Sequence, residues 1–229
     1  MTTAIIVAAG KSERMGEGVD KAFFPLGSNS KPVLAHTLRV MEQCHDIDKV
    51  VLVVRKDKVL SAQGLVQIFG CKKVSRIVAG GATRQSSVSA GLAVCDDDTS
   101  VVCVHDGARP CVTTDLISET IRSAKTKGSG VAAMKITDTV KSADKNGVVT
   151  ETLDRDKLWT VQTPQAFKTT LLRKAFAKAE TDGVKYTDEA AAVEASGEQV
   201  HLVPTLLQNI KITYPEDMRT AALLLGIQS

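Results

Sequence analysis

Short apolar runs alternate with helix-length amphipathic segments over residues 4–134, and this order leaves few possible folds. The apolar runs are continuous and rich in β-branched residues, as strands buried on both faces are. They are residues 4–8, 50–54, 74–78, 101–104 and 131–134. The amphipathic segments between them are residues 32–44, 56–69, 84–94 and 114–127. Because strands that alternate with helices are joined by right-handed crossovers, the order predicts an α/β fold with a mostly parallel sheet flanked by helices.

The regular alternation stops after Met134. Residues 135–153 are polar, and β-prone residues lie on both sides of an Asn146-Gly147 turn signal, which predicts a protruding β-hairpin arm at 136–154. The chain then returns through LWTVQTPQAF. Further predicted elements are helices at 169–179 and 188–195, strands at 199–203 and 209–213, and a last helix that begins with a proline, Pro215.

Size and composition limit the class of protein. A chain of 229 residues can bury a full core, and we expect a single domain over 1–229. The 29 basic and 26 acidic side chains are spread along the chain without blocks, so no nucleic-acid partner is predicted. No apolar run approaches the ~20 residues that a membrane span needs, so no membrane association is predicted.

The five cysteines bear on the compartment. Their number is odd and no two have C-x-x-C spacing, which argues against a disulfide framework and against a zinc ribbon. We therefore expect a cytoplasmic protein, in the bacterial cytosol or, if a transit peptide has been removed, in the plastid stroma.

A glycine-containing loop with two cations follows the first predicted strand. Ala8, Ala9 and Gly10 are small enough for backbone N–H groups to approach phosphates closely. Arg14 and Lys21 follow, and concentrated positive charge stabilises a phosphoryl-type transition state. The P-loop pattern and the G-x-G-x-x-G pattern are both absent, so neither common nucleotide motif applies. An ordinary turn remains the alternative for this loop alone.

A second motif, AGGATRQSSVSAGL, lies between a predicted strand and a predicted helix. Backbone amides near Gly81 and the hydroxyl of Ser87 could bind a base edge. The alternative is an ordinary helix cap formed by Thr83 or the serines after it.

The third motif, VVCVHDGARP, brings polar side chains to the carboxyl end of a buried strand, the usual ligand edge of an open α/β sheet. Asp106 is the candidate Mg²⁺ ligand, because Mg²⁺ can be bound by one carboxylate together with substrate phosphates. His105 lies on the other face of the strand and is expected to be a packed, hydrogen-bonded residue. Arg109 is expected to hold the loop through an ion pair with Asp106.

Seven segments together resemble one known family. They are AAGKSERMG with Lys21, GGATRQSSVSAGL, VHDGARP, TDTVK, LDRDKLWTVQTPQAF, YTDEA and NIKITYPED. In this order and over nearly the whole chain they resemble the 2-C-methyl-D-erythritol 4-phosphate cytidylyltransferases of non-mevalonate isoprenoid biosynthesis. The resemblance implies a Rossmann-like, GT-A-like nucleotidyltransferase fold. It also implies an Mg²⁺-dependent enzyme that transfers CMP from CTP to methylerythritol phosphate, and a homodimer whose hairpin arms exchange.

The resemblance also implies roles for individual residues. Arg14 and Lys21 would stabilise the pentacoordinate transition state, and Arg155 and Lys211 would position the acceptor and count among the catalytic residues. The residues expected to bind the nucleotide are Ala8, Ala9, Gly10, Gly81, Ser87, Asp106 and Gly107. The residues expected to bind the acceptor are Asp106, Thr139, Arg155, Thr163, Thr187 and Lys211. Thr139 and Arg155 would serve the partner's site.

Four positions depart from the family pattern. Ser12 and Gly107 stand where the family usually has glycine and alanine. Ala82 stands near a usual acidic or polar residue, which moves base discrimination to backbone groups. Asp20 replaces a proline before Lys21 and is expected to raise the pKa of that lysine while weakening its attraction for phosphate.

Three other functions remain open. A ribitol 5-phosphate cytidylyltransferase would share the nucleotide machinery, although VHDGARP and QTPQAF favour methylerythritol phosphate as the acceptor. Sugar-phosphate nucleotidylyltransferases that use UTP or GTP have a longer glycine loop than this chain. A non-catalytic nucleotide-binding regulator would not need the full set of cations.

Overall fold

The computed structural model describes residues 1–16, 20–27, 31–205 and 209–227. The strands are β1 (Thr2–Ala8), β2 (Lys49–Val54), β3 (Val74–Ala79), β4 (Val101–Asp106), β5 (Ser129–Lys135), β6 (Lys141–Ala143), β7 (Val149–Thr152), β8 (Trp159–Lys168) and β9 (Leu202–Pro204). The α-helices are α1 (Val33–Gln43), α2 (Val59–Ile68), α3 (Arg84–Ala93), α4 (Thr114–Lys127), α5 (Thr169–Thr181), α6 (Glu189–Ala195) and α7 (Pro215–Leu224). The predicted α/β class and the alternation of strands and helices are confirmed.

The main sheet has seven strands in the order β3-β2-β1-β4-β8-β5-β9. Strand β1 pairs in parallel with β2 and β4, and β5 pairs in parallel with β9. Strand β8 is antiparallel to both of its neighbours, β4 and β5. The prediction of a mostly parallel sheet is therefore confirmed, with β8 inserted between two strands of the parallel set.

Helices cover both faces of this sheet. Neighbouring residues of β1 point to opposite faces, and both Ile5 and Ile6 are fully buried. Side chains of α1, α2 and α4 pack with Ile6, whereas side chains of α3, α5 and α6 pack with Ile5. This two-sided burial explains why the strand sequences are continuous apolar runs.

Two predictions about the second half of the chain need correction. The sequence predicts a connection at LWTVQTPQAF, but all of this segment except its first residue lies in β8. Residues 209–213, all within the described part of the chain, form no strand. They pack instead against the loop after β4, where the Ile212 amide donates to the carbonyl of Ala108 at 2.8 Å. The predicted strand at 199–203 is present as the shorter β9.

The predicted hairpin is present as β6 and β7, which pair antiparallel outside the main sheet. Gly147 has a φ of +81°, the left-handed conformation that glycine adopts without a steric cost. The last helix begins at Pro215, as predicted. Within the described ranges, no helix is both long enough and apolar enough to cross a bilayer.

Candidate active site

A cavity of about 970 Å³ opens where β1, β2, β3 and β4 end, at the carboxyl edge of the sheet. Nine of the predicted site residues line it: Ala8, Ala9, Gly10, Arg14, Lys21, Gly81, Ser87, Asp106 and Lys211. They come from distant parts of the sequence, and the parallel strands bring them together. Cationic side chains line one part of the cavity, and small alanine and glycine residues line another.

The loop after β1 folds back so that both of its predicted cations line the cavity. Ser12 adopts a left-handed conformation, with φ 58° and ψ 28°, and its carbonyl accepts from the Met15 amide. The Ser12 hydroxyl also accepts from the backbone N–H of Lys21 at 3.3 Å. The guanidinium of Arg14 lies 5.5 Å from the centre of the Tyr214 ring, close enough for a cation–π contact. The turn therefore sets the relative position of Arg14 and Lys21.

Lys21 lies in a cationic environment. Its Nζ donates to the carbonyl of Ile212 at 2.9 Å, which joins the first loop to the segment before α7. Burial lowers the pKa of Lys21, and the nearby charges of Lys211 and Arg14 lower it further. The cluster is thus suited to accept a polyanion, which would relieve the repulsion among the three side chains.

The pKa of Lys21 is lowered overall, and Asp20 is not among the charges that shift it; the carboxylates that raise it are Asp106 and Asp217. The Asp20 carboxylate accepts from the Ala22 amide at 3.2 Å instead of pairing with the lysine. Burial raises the pKa of Asp20, and the cations that act on it are Arg55 and Lys58.

The loop after β3 is both a helix cap and a wall of the cavity. Thr83 is the N-cap of α3, and its hydroxyl accepts from the Ser86 amide at 3.0 Å, so the cap interpretation is confirmed. The Ser87 hydroxyl accepts from the Gly81 amide at 3.2 Å and donates to the Thr83 carbonyl at 2.8 Å. A Cβ at Gly80 would lie only 2.5 Å from that of Ala9, so glycine lets this loop approach the first one. Binding of a base by Gly81 and Ser87 stays a prediction.

Asp106 lies at the centre of a set of cations. Its Oδ1 accepts from Arg84 Nε at 3.1 Å, and its Oδ2 lies 2.8 Å from Lys211 Nζ and 3.7 Å from Arg109 Nε. Only 8% of the side chain is exposed. Burial alone would raise the pKa of this carboxyl, but Arg84, Lys211 and Arg109 outweigh it and hold the pKa below its ordinary value of 3.8. Asp106 is therefore ionised, and the predicted ion pair with Arg109 is present.

The donors around Asp106 do not fit a magnesium ion held by protein side chains alone. Both carboxylate oxygens already face cations. Over residues 1–16, 20–27, 31–205 and 209–227, no group of three or more His, Cys, Asp or Glu side chains could hold a metal. Mg²⁺ needs several oxygen ligands, so most of them would have to come from the substrate and from water. Ligation by Asp106 stays a prediction.

His105 and Gly107 flank Asp106 without lining the cavity. His105 is fully buried, with Nε2 3.2 Å from the carbonyl of Arg109, and burial lowers its pKa to about 4. It is therefore a neutral packed residue, as expected. The amide of Gly107 donates to the carbonyl of Val7 at 2.9 Å, which ties the third motif to the first strand.

Thr163 supports Asp106 from the inserted strand β8. Its hydroxyl accepts from the Asp106 amide at 3.0 Å, and its carbonyl accepts from Asn209 Nδ2 at 2.6 Å. Thr163 is buried and does not line the cavity. Within a single chain, these two hydrogen bonds of Thr163 hold Asp106 and the segment that carries Lys211.

Thr139, Arg155 and Thr187 are exposed and do not line the cavity. Arg155 NH1 donates to the carbonyl of Thr137 at 2.8 Å, beside the base of the hairpin. The predicted acceptor residues therefore fall into two groups, with Asp106 and Lys211 in the cavity and these three outside it.

Comparison with known proteins places the chain in a family. The family model described as 2-C-methyl-D-erythritol 4-phosphate cytidylyltransferase matches residues 2–226. The chain belongs to this cytidylyltransferase family. A family member from Dehalococcoides mccartyi is 45% identical over 223 residues, which is 97% of this chain and 95% of that protein. One from Alkaliphilus metalliredigens is 41% identical over 217 residues, which is 94% of this chain and 89% of that protein.

A solved structure shows the same architecture. The 4-diphosphocytidyl-2C-methyl-D-erythritol synthase from Anaerococcus prevotii superposes with a TM-score of 0.83 at 31% identity, covering 98% of each chain. The Rossmann-like cytidylyltransferase fold implied by the resemblance is confirmed.

Three departures from the cytidylyltransferase pattern have visible structural consequences. Ser12 occupies the left-handed conformation in place of a glycine. An alanine Cβ at Gly107 would lie 3.1 Å from both Ala8 Cβ and Leu34 Cδ1, so glycine loosens a contact that alanine would make tight. Ala82 lines the cavity, with no polar side chain to offer a base.

No role is predicted from the sequence for Arg84 or Glu189, although both belong to the cytidylyltransferase motifs given above. Arg84 lines the cavity, and its NH1 donates to Glu189 Oε1 at 2.7 Å. A signal was present in the sequence. Arg84 is the first residue of α3, and a cation at a helix N-terminus opposes the helix dipole, so a carboxylate partner was to be expected.

Proposed function

We propose that this protein transfers CMP from CTP to 2-C-methyl-D-erythritol 4-phosphate and releases pyrophosphate. The observation that carries the proposal is the convergence of Arg14, Lys21 and Lys211 with Asp106 around one cavity, in a chain of this cytidylyltransferase family. These three cations can bind phosphate groups, further cations such as Lys11, Arg55 and Lys56 also line the cavity, and the small residues along its walls leave room for a nucleotide.

In the proposed reaction, a phosphate oxygen of the acceptor attacks the α-phosphorus of CTP. The new P–O bond forms as the bond to the pyrophosphate oxygen breaks, and negative charge spreads over the pentacoordinate phosphorus group. Arg14 and Lys21 stabilise that charge, since both line the cavity and the Ser12 turn positions them together. Such a step needs positioned positive charge more than covalent chemistry from the protein.

The nucleotide is proposed to lie along the two small-residue loops. Ala8, Ala9 and Gly10 would contact it from the end of β1, and Gly81 and Ser87 from the start of α3. Because Ala82 offers no hydrogen-bonding side chain, backbone N–H and C=O groups would discriminate cytosine. Gly107 would support the nucleotide site indirectly, because the hydrogen bond from its amide to the carbonyl of Val7 holds the backbone next to Asp106.

The acceptor phosphate is proposed to lie near Lys211 and Asp106. Lys211 supplies positive charge, and Asp106 can accept hydrogen bonds from acceptor hydroxyls, with Thr163 holding its backbone. Arg155, Thr139 and Thr187 complete this site in the proposal. Because they lie outside the cavity of their own chain, the proposal requires that some of them come from a second chain.

A homodimer with exchanged arms would meet that requirement. The hairpin exposes apolar side chains, with Val148 61% and Val149 53% exposed, and Val161 of β8 is 41% exposed. Scattered single apolar residues are normal on a surface, but these three lie on the arm and the strand that follows it. We propose that a partner subunit covers them and receives Thr139 and Arg155 into its site.

Magnesium belongs with the triphosphate in this proposal. The ion would arrive bound to CTP, whose phosphate oxygens supply ligands that the described side chains do not. Removal of divalent ions with a chelator, followed by return of Mg²⁺, should abolish and then restore turnover. Unchanged turnover in the chelator would contradict the dependence on Mg²⁺.

A cytoplasmic location is proposed from cysteine chemistry. All five cysteines lie in described residues and are free thiols. Burial raises the pKa of Cys103 to about 12, so this thiol is unreactive. Free thiols of this kind persist in a reducing compartment.

Pyrophosphate release by the purified protein tests the function. The protein would be supplied with Mg²⁺, CTP and either methylerythritol 4-phosphate or ribitol 5-phosphate, and the better acceptor would be repeated with UTP, GTP and ATP. Release only with CTP and methylerythritol phosphate is expected. A preference for ribitol phosphate would show that the proposed acceptor is wrong. No pyrophosphate release with any pair would indicate a nucleotide-binding regulator.

A further inference from the structure

Arg84 bridges two carboxylates that come from different elements. Its Nε donates to Asp106 Oδ1 at 3.1 Å, at the end of β4, and its NH1 donates to Glu189 Oε1 at 2.7 Å, in the first turn of α6. Only 8% of the Asp106 side chain and 1% of the Glu189 side chain are exposed. A planar guanidinium can hold two acceptors in a fixed relation, whereas a lysine offers one point charge.

The bridge determines which part of Asp106 faces the cavity. Because Oδ1 is bound to Arg84, Oδ2 is the oxygen next to Lys211, at 2.8 Å. If Arg84 were absent, the carboxylate could rotate toward Arg109, whose Nε lies 3.7 Å from Oδ2. The orientation of the Asp106 carboxylate therefore depends on Arg84, the first residue of α3.

Glu189 holds the guanidinium in place. Its Oε2 is buried and has no hydrogen-bond partner in the described part of the chain, so the ion pair with Arg84 is its principal compensation. Burying this carboxylate is costly unless the partner is present. A buried Arg84–Glu189 ion pair at the edge of the cavity is therefore consistent with a role in holding the Arg84 side chain in one orientation.

The same helix start also contacts the segment that precedes α6. The side-chain carbonyl of Gln85 accepts from the Tyr186 amide at 2.9 Å. Thr187, a proposed acceptor residue, lies between this contact and Glu189. The loop proposed to bind cytosine and the segment proposed to bind the acceptor are thus joined through two consecutive residues of α3.

We infer that Arg84 is a positioning residue. It orients Asp106 toward the hydroxyl groups of the phosphorylated acceptor, and Glu189 holds Arg84 in place. The inference rests on the proposed function, because it takes Asp106 as part of the acceptor site. Arg84 touches Asp106 and Glu189, and it acts on the reaction through Asp106.

The test compares Arg84→Lys with the wild-type protein in steady-state kinetics with CTP and methylerythritol phosphate. Lysine keeps the charge but cannot span both carboxylates, so kcat/KM for the acceptor should fall by about tenfold or more, as expected when a charge-assisted hydrogen bond is lost. The KM for CTP should change less than kcat/KM for the acceptor, because Arg84 itself makes no proposed contact with CTP. The matched control is Arg173→Lys, whose guanidinium donates to the Leu92 carbonyl away from the cavity and should leave both constants unchanged.

A second comparison separates positioning from general support. In an Asp106→Asn background, Arg84→Lys should reduce acceptor kcat/KM by less than about twofold further, because the group it orients has lost its charge. Full additivity of the two losses would overturn the inference, as would unchanged acceptor kinetics in a folded Arg84→Lys variant. If the wild-type protein releases no pyrophosphate with any acceptor, the proposed function is wrong and the inference, which rests on it, is wrong as well. Melting temperatures of all variants would identify any that do not fold.

Discussion

At the scale of single residues, Lys21 combines a proposed catalytic role with a lowered pKa. Burial, followed by Lys211 and Arg14, lowers its pKa from the ordinary value of 10.5. Only the protonated form can stabilise negative charge, so kcat/KM should fall as pH rises through this lowered pKa, below pH 10.5. A pH profile of kcat/KM for CTP would measure the alkaline limb.

The control for this profile is Lys21→Arg, since a guanidinium stays protonated throughout the accessible range. Its activity should be lower at neutral pH because the geometry differs, but the alkaline limb assigned to Lys21 should disappear. An identical alkaline limb in the variant would show that another group controls it.

Ser12 allows a stability prediction at the same scale. Its φ of 58° is a conformation that costs a residue with a Cβ about 1 kcal/mol, whereas glycine adopts it freely. Both Ser12→Gly and Ser12→Ala remove the hydroxyl that accepts from Lys21, so their difference isolates the backbone strain. The glycine variant should be more stable than the alanine variant by about 1 kcal/mol in urea unfolding.

The matched control is the same pair of substitutions at Ser61, inside α2. In an α-helix, alanine is more favourable than glycine by about 1 kcal/mol, so the order of the two variants should reverse. The same order at both positions would contradict a left-handed strain at Ser12.

At the scale of elements, the contact between β5 and α4 depends on Gly130. A Cβ there would overlap the carbonyl oxygen of Thr120 and would lie 2.8 Å from Ser123 Cβ. Gly130→Ala should therefore lower the free energy of unfolding by about 1–3 kcal/mol, the usual cost of overpacking. Denaturant unfolding measures this change.

Gly64 is the matched glycine for comparison. It lies inside α2, and a Cβ there would meet no atom within 4 Å. Gly64→Ala should stabilise the protein by about 0.5–1 kcal/mol, because glycine is costly in a helix interior. Equal effects of the two substitutions would mean that close packing at Gly130 does not matter.

At the scale of the whole molecule, the exchanged-arm proposal predicts that two inactive variants complement each other. Lys21→Ala disables the cavity of its own chain, whereas Arg155→Ala disables the arm that enters the partner's cavity. A heterodimer of the two keeps one cavity with both residues intact. Doubly tagged heterodimers should therefore have about half of the wild-type activity per dimer.

The control heterodimer combines Lys21→Ala with Lys211→Ala. Both residues line the cavity of one chain, so each site of the heterodimer carries one defect and no activity should return. Failure to recover doubly tagged dimers, or no recovery of activity with Arg155→Ala, would contradict arm exchange.

Much of the architecture was readable from local pattern. Five strands, the helices between them and the hairpin were predicted, because buried strands and amphipathic helices carry their own periodicity. Strand β8 was missed: Pro164 lies within it, and its first residues are partly exposed, so its sequence shows neither a continuous apolar run nor a clear alternation. Its pairing partners, β4 and β5, lie far away in sequence and supply the hydrogen bonds that define it.

The candidate site divides in the same way. Loops that directly follow strands could be located from the sequence, because the carboxyl ends of parallel strands share one edge, and this placed Ala8, Gly81 and Asp106 at the cavity. The burial of each charged side chain and the identity of its ion-pair partners could not be predicted from the sequence. Arg84 and Glu189 are 105 positions apart in the chain, yet they form one buried ion pair.

The sequence predicts the elements but not the environment of each charge, and this difference has a physical reason. Periodicity and turn chemistry are local properties, so they determined the elements, their order and the edge at which ligands bind. Burial and the distances between charges arise only when the elements pack. These two quantities lower the pKa of Lys21 below its ordinary value, keep Asp106 ionised and allow Arg84 to bridge two carboxylates.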